Sequence, residues 1–229
     1  MRRFYQTEWL GIKFQDVIQV SIFKKADVDF YDRFYSVFFS RNKSYDDLPS
    51  KYINNKNGVA NHLFNFLIDK GSILSIGCGI GYVEYKLNKM LGDVSSRAKI
   101  VAVEPSVQVI EWHKTSERVK FIHGFFPKDI GDEEVFDIAY AILVDYSMDN
   151  YQYLNLLQNI REYGVREIYF VVSIDNPPLD IIGRLKEGLI LLLTMCKVKN
   201  CGQFWGYLRT IDEHHELMRV SGFNINARP

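Results

Sequence analysis

Cysteine is scarce in this chain. Cys78, Cys196 and Cys201 are odd in number and contain no C-x-x-C pair, which excludes a disulfide framework and the usual spacing of structural zinc. The same usage points to a reducing compartment, so a cytoplasmic setting is expected. An excess of either charge is also missing: Lys plus Arg and Asp plus Glu each total 28. Proteins that follow a phosphate backbone gather a basic surplus, because affinity grows with every phosphate neutralised. Nucleic acid is therefore not an expected partner. Long apolar runs are absent too. The longest, Gly188–Met195 (GLILLLTM), falls well short of the roughly 20 residues that span a bilayer, so no membrane partner is expected. The opening MRRFYQTEWLGIKF sets polar residues after its two arginines and does not read as a signal peptide. No repeat or low-complexity tract interrupts the chain. What is present is material for a core: 47% of the 229 residues are hydrophobic, which excludes a disordered tail and suits one α/β domain with an appendage.

The first seventy residues are rich in Phe and Tyr and lack strand-like runs bounded by glycine. Val28–Phe39 and Val59–Ile68 place apolar side chains at helical spacing, so residues 1–70 are expected to form a helical cap. From Ser72 the pattern changes. Ile73–Ile76, Lys99–Val103, Val119–Ile122, Phe136–Leu143 and Glu167–Ser173 read as strands, with helices expected over Gly81–Leu91, Ser106–His113 and Asn150–Tyr163. Strands apolar on both faces and separated by helices imply a parallel sheet covered on both sides. The fold class is thus α/β, a doubly wound, mostly parallel sheet, over residues 71–229. A helical insertion at about 177–205 follows the Pro177-Pro178 turn. Thr210 and Glu213 have the spacing of a helix capping box, and Gly222 suits the stop of that helix. The few residues after Gly222 have room for one short strand, not a hairpin.

The most informative stretch is ILSIGCGIGYVEYKL, residues 73–87. A strand runs into Gly77-Cys78-Gly79-Ile80-Gly81, then a helix. Glycines serve where a turn needs dihedrals closed to other residues and where a ligand approaches the backbone. The helix N-terminus behind them offers unpaired N–H groups and partial positive charge. The next strand, KIVAVE, ends in Glu104. In a βαβ unit an acid there points over the first loop and can accept hydrogen bonds from both ribose hydroxyls. Loop and acid together select a nucleoside-containing ligand. A dinucleotide fingerprint would need glycine where Tyr82 stands, and no Gly-Lys-Ser/Thr follows for a phosphate-binding loop.

On these residues, and on VAVEP (101–105), VKFIHG (119–124), FDIAYAIL (136–143) and LRTIDEHHELMRVSGF (208–223), the chain resembles the class I S-adenosylmethionine-dependent methyltransferases over its last two-thirds. The resemblance implies S-adenosylmethionine as cofactor, with Gly77, Cys78, Gly79 and Gly81 around its methionine part, beside Ser75. It implies Glu104 on the ribose, next to Pro105, and His123, Gly124 and Phe125 around the adenine. Three departures stand out. Ser75 replaces an acid that orients the methionine amino group in the family. Phe125 replaces an Asp that commonly follows the glycine. The C-terminus lacks the antiparallel strand that usually completes the sheet, leaving an edge covered otherwise or by a second subunit in a homodimer.

In this architecture an acceptor sits above the fourth strand, where Asp145 and Tyr146 are the candidates to orient or deprotonate it. Helix capping by Asp145 and packing by Tyr146 is the competing reading. An Asn/Asp-Pro-Pro-aromatic signature of amine methylation does not follow this strand; Asp175-Asn176-Pro177-Pro178 follows the fifth and reads as a turn. Tyr31, Tyr35, Tyr45 and Tyr52, with Phe204-Trp205-Gly206-Tyr207, are candidates for an aromatic lid, and the same residues suit packing between helix and sheet. His214 and His215 are expected to be structural, and no histidine has the carboxylate company of a metal site. The expectation is a methyltransferase for a small-molecule acceptor, with a hydroxyl of a sugar or secondary metabolite as the example. A catalytically silent binding module of the same fold is the alternative, and a nicotinamide oxidoreductase the third reading.

Overall fold

A computed structural model describes residues 1–131, 134–176, 181–196 and 202–225. The described chain forms β1 (Arg2–Gln6), β2 (Glu8–Trp9), β3 (Ile12–Lys13), α1 (Val28–Arg41), α2 (Ser50–Leu67), β4 (Ser72–Ile76), α3 (Tyr82–Asp93), β5 (Lys99–Glu104), β6 (Val119–His123), β7 (Ile138–Ile142), α4 (Asn150–Glu162), β8 (Glu167–Val171), α5 (Ile181–Met195), β9 (Gln203–Leu208) and α6 (Ile211–Val220). By contacts it divides into two compact units. One comprises 1–34, 145–154 and 172–229; the other comprises 35–144 and 155–171.

The second unit holds a five-stranded sheet in the order β6-β5-β4-β7-β8, every pair parallel. The central strands SILSI and KIVAVE are buried on both faces, which is why they read as continuous apolar runs rather than alternating ones. On one face, Ala60, Leu63 and Leu67 of α2 join Val83, Leu87 and Leu91 of α3 over Ile73, Ile100, Val119 and Ile138. The 3–4 residue spacing of both helical sets is the stripe a helix needs to lie on a sheet. Part of the expected cap, α2, is therefore a covering layer of this core. The strand order reverses direction beside β4, so the loop after β4 opens at a topological switch point.

The first unit was not legible as such. Instead of helices alone, its N-terminal segment includes β1, which pairs antiparallel with β9, Arg2 opposite Leu208 and Gln6 opposite Gln203. RRFYQ carries too much charge to read as a core strand, and its partner lies far along the chain. The aromatic residues pack here: Phe14 stacks on Trp205 at 4.9 Å, and Trp9 on Phe34 at 4.8 Å. An antiparallel strand does occur late in the chain, as β9, but it pairs with β1 and the five-stranded sheet stays parallel among the described residues. The helix expected over Ser106–His113 is a 3₁₀ segment, Val107–Trp112. Residues 177–180 and 197–201 of the expected insertion lie outside the described residues; α5 lies between them. Residues 223–225 form no strand, and 226–229 lie outside the described residues. Among the described residues no helix is long and apolar enough to cross a membrane.

Candidate functional site

The site begins with backbone geometry. Gly77, Gly79 and Gly81 have φ of +67°, +57° and +72°, the left-handed region that costs any residue with a Cβ. Gly77 and Cys78 donate their N–H groups to Val103 O at 2.8 and 3.3 Å, tying the loop to the end of β5. A Cβ on Gly77 would overlap the Val144 side chain, and one on Gly81 would lie 3.0 Å from His113 and Phe121. The three glycines thus answer to sterics as well as dihedrals.

Glu104 closes over this loop. Its Oε2 accepts the Gly79 N–H at 2.8 Å and its Oε1 accepts the Ser106 N–H at 3.0 Å, and the residue is buried. The loop and the acid are one structure, joined by a charge-assisted hydrogen bond. Pro105 continues the chain from Glu104 toward Ser106. Gly124, at the end of β6, donates to Glu104 O at 3.1 Å. Its position is crowded by Asp129, whose carboxylate accepts the Phe125 N–H at 2.8 Å. Phe125 itself is exposed. Asp129 thus brings an acid to the turn where the sequence replaces the family's Asp with Phe125.

Two residues to which sequence reasoning gave no part in the site flank the loop, His113 by bonding to it and Glu84 from behind it through Ser75. His113 donates Nε2–H to Gly79 O at 2.7 Å and stacks on Phe121 at 4.1 Å, with His123 5.2 Å away. Burial lowers the His113 pKa to about 4 and pushes that of His123 down as well, so His113 is neutral near pH 7. Glu84, in the first turn of α3, accepts Ser75 Oγ–H at 2.6 Å and Tyr140 O–H at 2.7 Å. No glycine motif or strand-end position marks either residue. Of the four tyrosines, Tyr45 shares its O–H between Ile80 O at 2.8 Å and Trp112 O at 3.1 Å. Tyr35 places its hydroxyl against Gly79. Tyr52 packs near Tyr82, and Tyr31 on Trp205 in the other unit. Cys78 is half-buried with its thiol pKa pushed up by burial.

Ser75, Gly77, Cys78, Gly79, Gly81, Glu104, Pro105, His123 and Gly124 therefore gather at the ends of β4, β5 and β6 in one unit. Asp145 and Tyr146 belong to the other. There Asp145 is fully buried, accepts the Ser173 N–H at 3.3 Å and lies 3.7 Å from His214 Nε2. Burial raises its pKa to about 6. Tyr146 is half-buried and stacks on Trp205 at 6.0 Å.

No family model matches the sequence. No curated protein matches it either. Solved structures do. Human N-acetylserotonin methyltransferase, solved in complex with S-adenosylmethionine, superposes over 86% of this chain and 51% of its own, with a TM-score of 0.58 and 16% identity. The chain thus spans about half the length of the human enzyme. Magnesium protoporphyrin IX methyltransferase from Synechocystis PCC 6803, solved with bound S-adenosylhomocysteine, superposes over 76% of this chain and 74% of its own, with a TM-score of 0.50 and 11% identity. At such identities the likeness is one of fold. The protein has the Rossmann-like fold of the class I S-adenosylmethionine-dependent methyltransferases.

Proposed function

We propose that the protein is an S-adenosylmethionine-dependent methyltransferase acting on a small-molecule acceptor, a hydroxyl of a sugar or secondary metabolite. The observation that supports the reading is the bond from Gly79 N–H to Glu104 at 2.8 Å, which puts a bare left-handed backbone and a carboxylate side by side at the switch point of the sheet. Those residues fit the donor. The glycines admit close approach of its amino-acid chain, and Glu104 sits where ribose hydroxyls would be received. His123, Gly124 and Phe125 would flank the adenine, with Pro105 beside the ribose and Ser75 and Cys78 near the methionine part.

When bound, the donor would supply an electrophilic methyl group on its sulfonium sulfur, which the acceptor would take in line as S-adenosylhomocysteine leaves. The chain's own task is alignment, which can contribute roughly 7–11 kcal/mol, and handling the acceptor's proton. The reading assigns that second task to Asp145 and Tyr146, three and four residues beyond β7. A carboxyl with a pKa of about 6 has proton affinity suited to a base near neutral pH. A cytoplasmic setting belongs to the proposal on the strength of the cysteine usage. A homodimer belongs to it because β6 and β8 each pair on one side only among the described residues.

Isothermal titration with S-adenosylmethionine and S-adenosylhomocysteine tests the core of the reading. Wild type should bind both, and Glu104→Gln should weaken them by about tenfold to a hundredfold, the loss of one charge-assisted bond. Absence of wild-type binding at millimolar donor would end the proposal. Asp145→Asn and Tyr146→Phe should lower turnover while leaving donor affinity unchanged. Full burial of Asp145 favours one second reading, a silent binding module of this fold, which would bind donor and turn over no acceptor.

A further inference from the structure

Beneath the glycine loop lies a carboxyl group that the donor site does not otherwise use. Glu84 is 1% exposed, and so are Ser75 and Tyr140, whose hydroxyls both donate to its Oε1. Among the described residues its Oε2 has no hydrogen-bond partner. Lys56 of α2 acts on it through space, without closing an ion pair. A buried carboxylate so arranged is expensive unless a further positive group meets it. Burial pushes its pKa up, as incomplete pairing requires.

Its place in the chain says which positive group. Ser75 stands two residues before Gly77, and Glu84 three after Gly81, so the pair backs the loop from both flanks. The N-terminus of α3, which opens directly behind the loop, makes a positive field suited to a carboxylate. A zwitterionic chain laid there needs negative charge for its ammonium, and the other acid beside the loop, Glu104 at the end of β5, is the one the donor reading gives to the ribose. We propose that Glu84, acting through the Ser75 hydroxyl, is the counter-charge for the α-ammonium of the donor's amino-acid end, in place of an acid on β4 itself. It is a positioning residue. The inference rests on the donor reading and adds to it a residue just beyond the glycine run.

Two nucleoside thioethers separate this role from a merely structural one. S-adenosylhomocysteine carries the amino-acid end; 5′-methylthioadenosine lacks it. Binding of both to wild type, Glu84→Gln, Ser75→Ala and the double variant Ser75→Asp/Glu84→Gln is measured by titration, with a thermal melt of each protein. Glu84→Gln should weaken S-adenosylhomocysteine by about tenfold or more, as for loss of a charge-assisted contact, and leave methylthioadenosine within about twofold. Ser75→Ala, which leaves the buried charge in place, should show the same selective loss and keeps the question answerable if Glu84→Gln does not fold. Ser75→Asp/Glu84→Gln, which moves the carboxylate across a contact of 2.6 Å, should restore most of the affinity. Equal weakening of both ligands, no weakening of either, or failure of the double variant to recover would overturn the inference while the donor reading stands. A wild type that binds neither thioether would remove both.

Discussion

At Gly77 two separate penalties bear on one hydrogen-to-methyl change. Its φ of +67° places the residue in the left-handed region, which costs an L residue with a Cβ roughly 1–2 kcal/mol. An added Cβ would also overlap Val144 Cγ1, and overpacking of this kind costs about 1–3 kcal/mol. Gly77→Ala should therefore lower stability by about 2–5 kcal/mol in urea unfolding. Adding Val144→Ala should return only the overlap part and leave the dihedral part. Complete recovery in the double variant would mean the loop tolerates alanine; no recovery would mean Val144 is not the obstacle. This is the scale at which the sequence was most readable. Three glycines and a strand-end acid declare themselves because backbone dihedrals and strand ends are local properties. Glu84, His113 and Asp129 did not declare themselves, since each acts on the loop or its neighbouring turn from outside the glycine run and nothing in spacing marks them.

Among elements, those stabilised locally or buried on both faces were legible, and those held by a distant partner were not. Thr210 and Glu213 form the capping box that their spacing predicts, and Gly222 follows α6 at φ +80°. The five parallel strands fall within two residues of their expected bounds, and in β4, β5 and β7 burial on both faces writes itself as an apolar run. By contrast β1 and β9 are paired across almost the whole chain, and what ends β9 is one buried cation. Arg209 is fully buried and donates to Asn150 Oδ1 at 2.9 Å, Asp145 O at 2.8 Å and Met148 O at 2.6 Å. Its guanidinium lies 5.0 Å from the centre of the Tyr153 ring. A lysine there keeps the charge but not the planar fork, and three acceptors cannot all be met by one ammonium at the end of a flexible stem. Arg209→Lys should cost about 2–4 kcal/mol, the range for leaving buried polar groups without partners. Chemical denaturation reads it; a change within about 0.5 kcal/mol, the ordinary surface range, would show that the network is dispensable.

For the molecule as a whole, acid is the condition that sorts its buried groups. His113 is neutral in the folded protein, with its pKa lowered from 6.5 to about 4 by burial. Between those values the unfolded chain takes up a proton that the folded chain refuses, so stability falls as pH drops from 6.5 toward 4. His214, also lowered to about 4 by burial, acts in the same direction. Asp145 acts in the opposite one: raised from 3.8 to about 6 by burial, it holds a proton in the folded state that the unfolded state has lost, and gains stability over nearly the same interval. His214 and Asp145 lie 3.7 Å apart in one unit, where their contributions offset. His113 lies in the other unit, apart from that offset. One pKa unit corresponds to about 1.4 kcal/mol, so moving from pH 7.5 to 5 should cost roughly 2 kcal/mol through His113 alone. His113→Gln offers an amide N–H for Gly79 O and does not titrate. It should start less stable than wild type at pH 7.5, having lost the stack on Phe121, yet lose about 2 kcal/mol less on acidification. Urea midpoints of both proteins at the two pH values decide the matter, and parallel losses would place the acid sensitivity elsewhere in the fold.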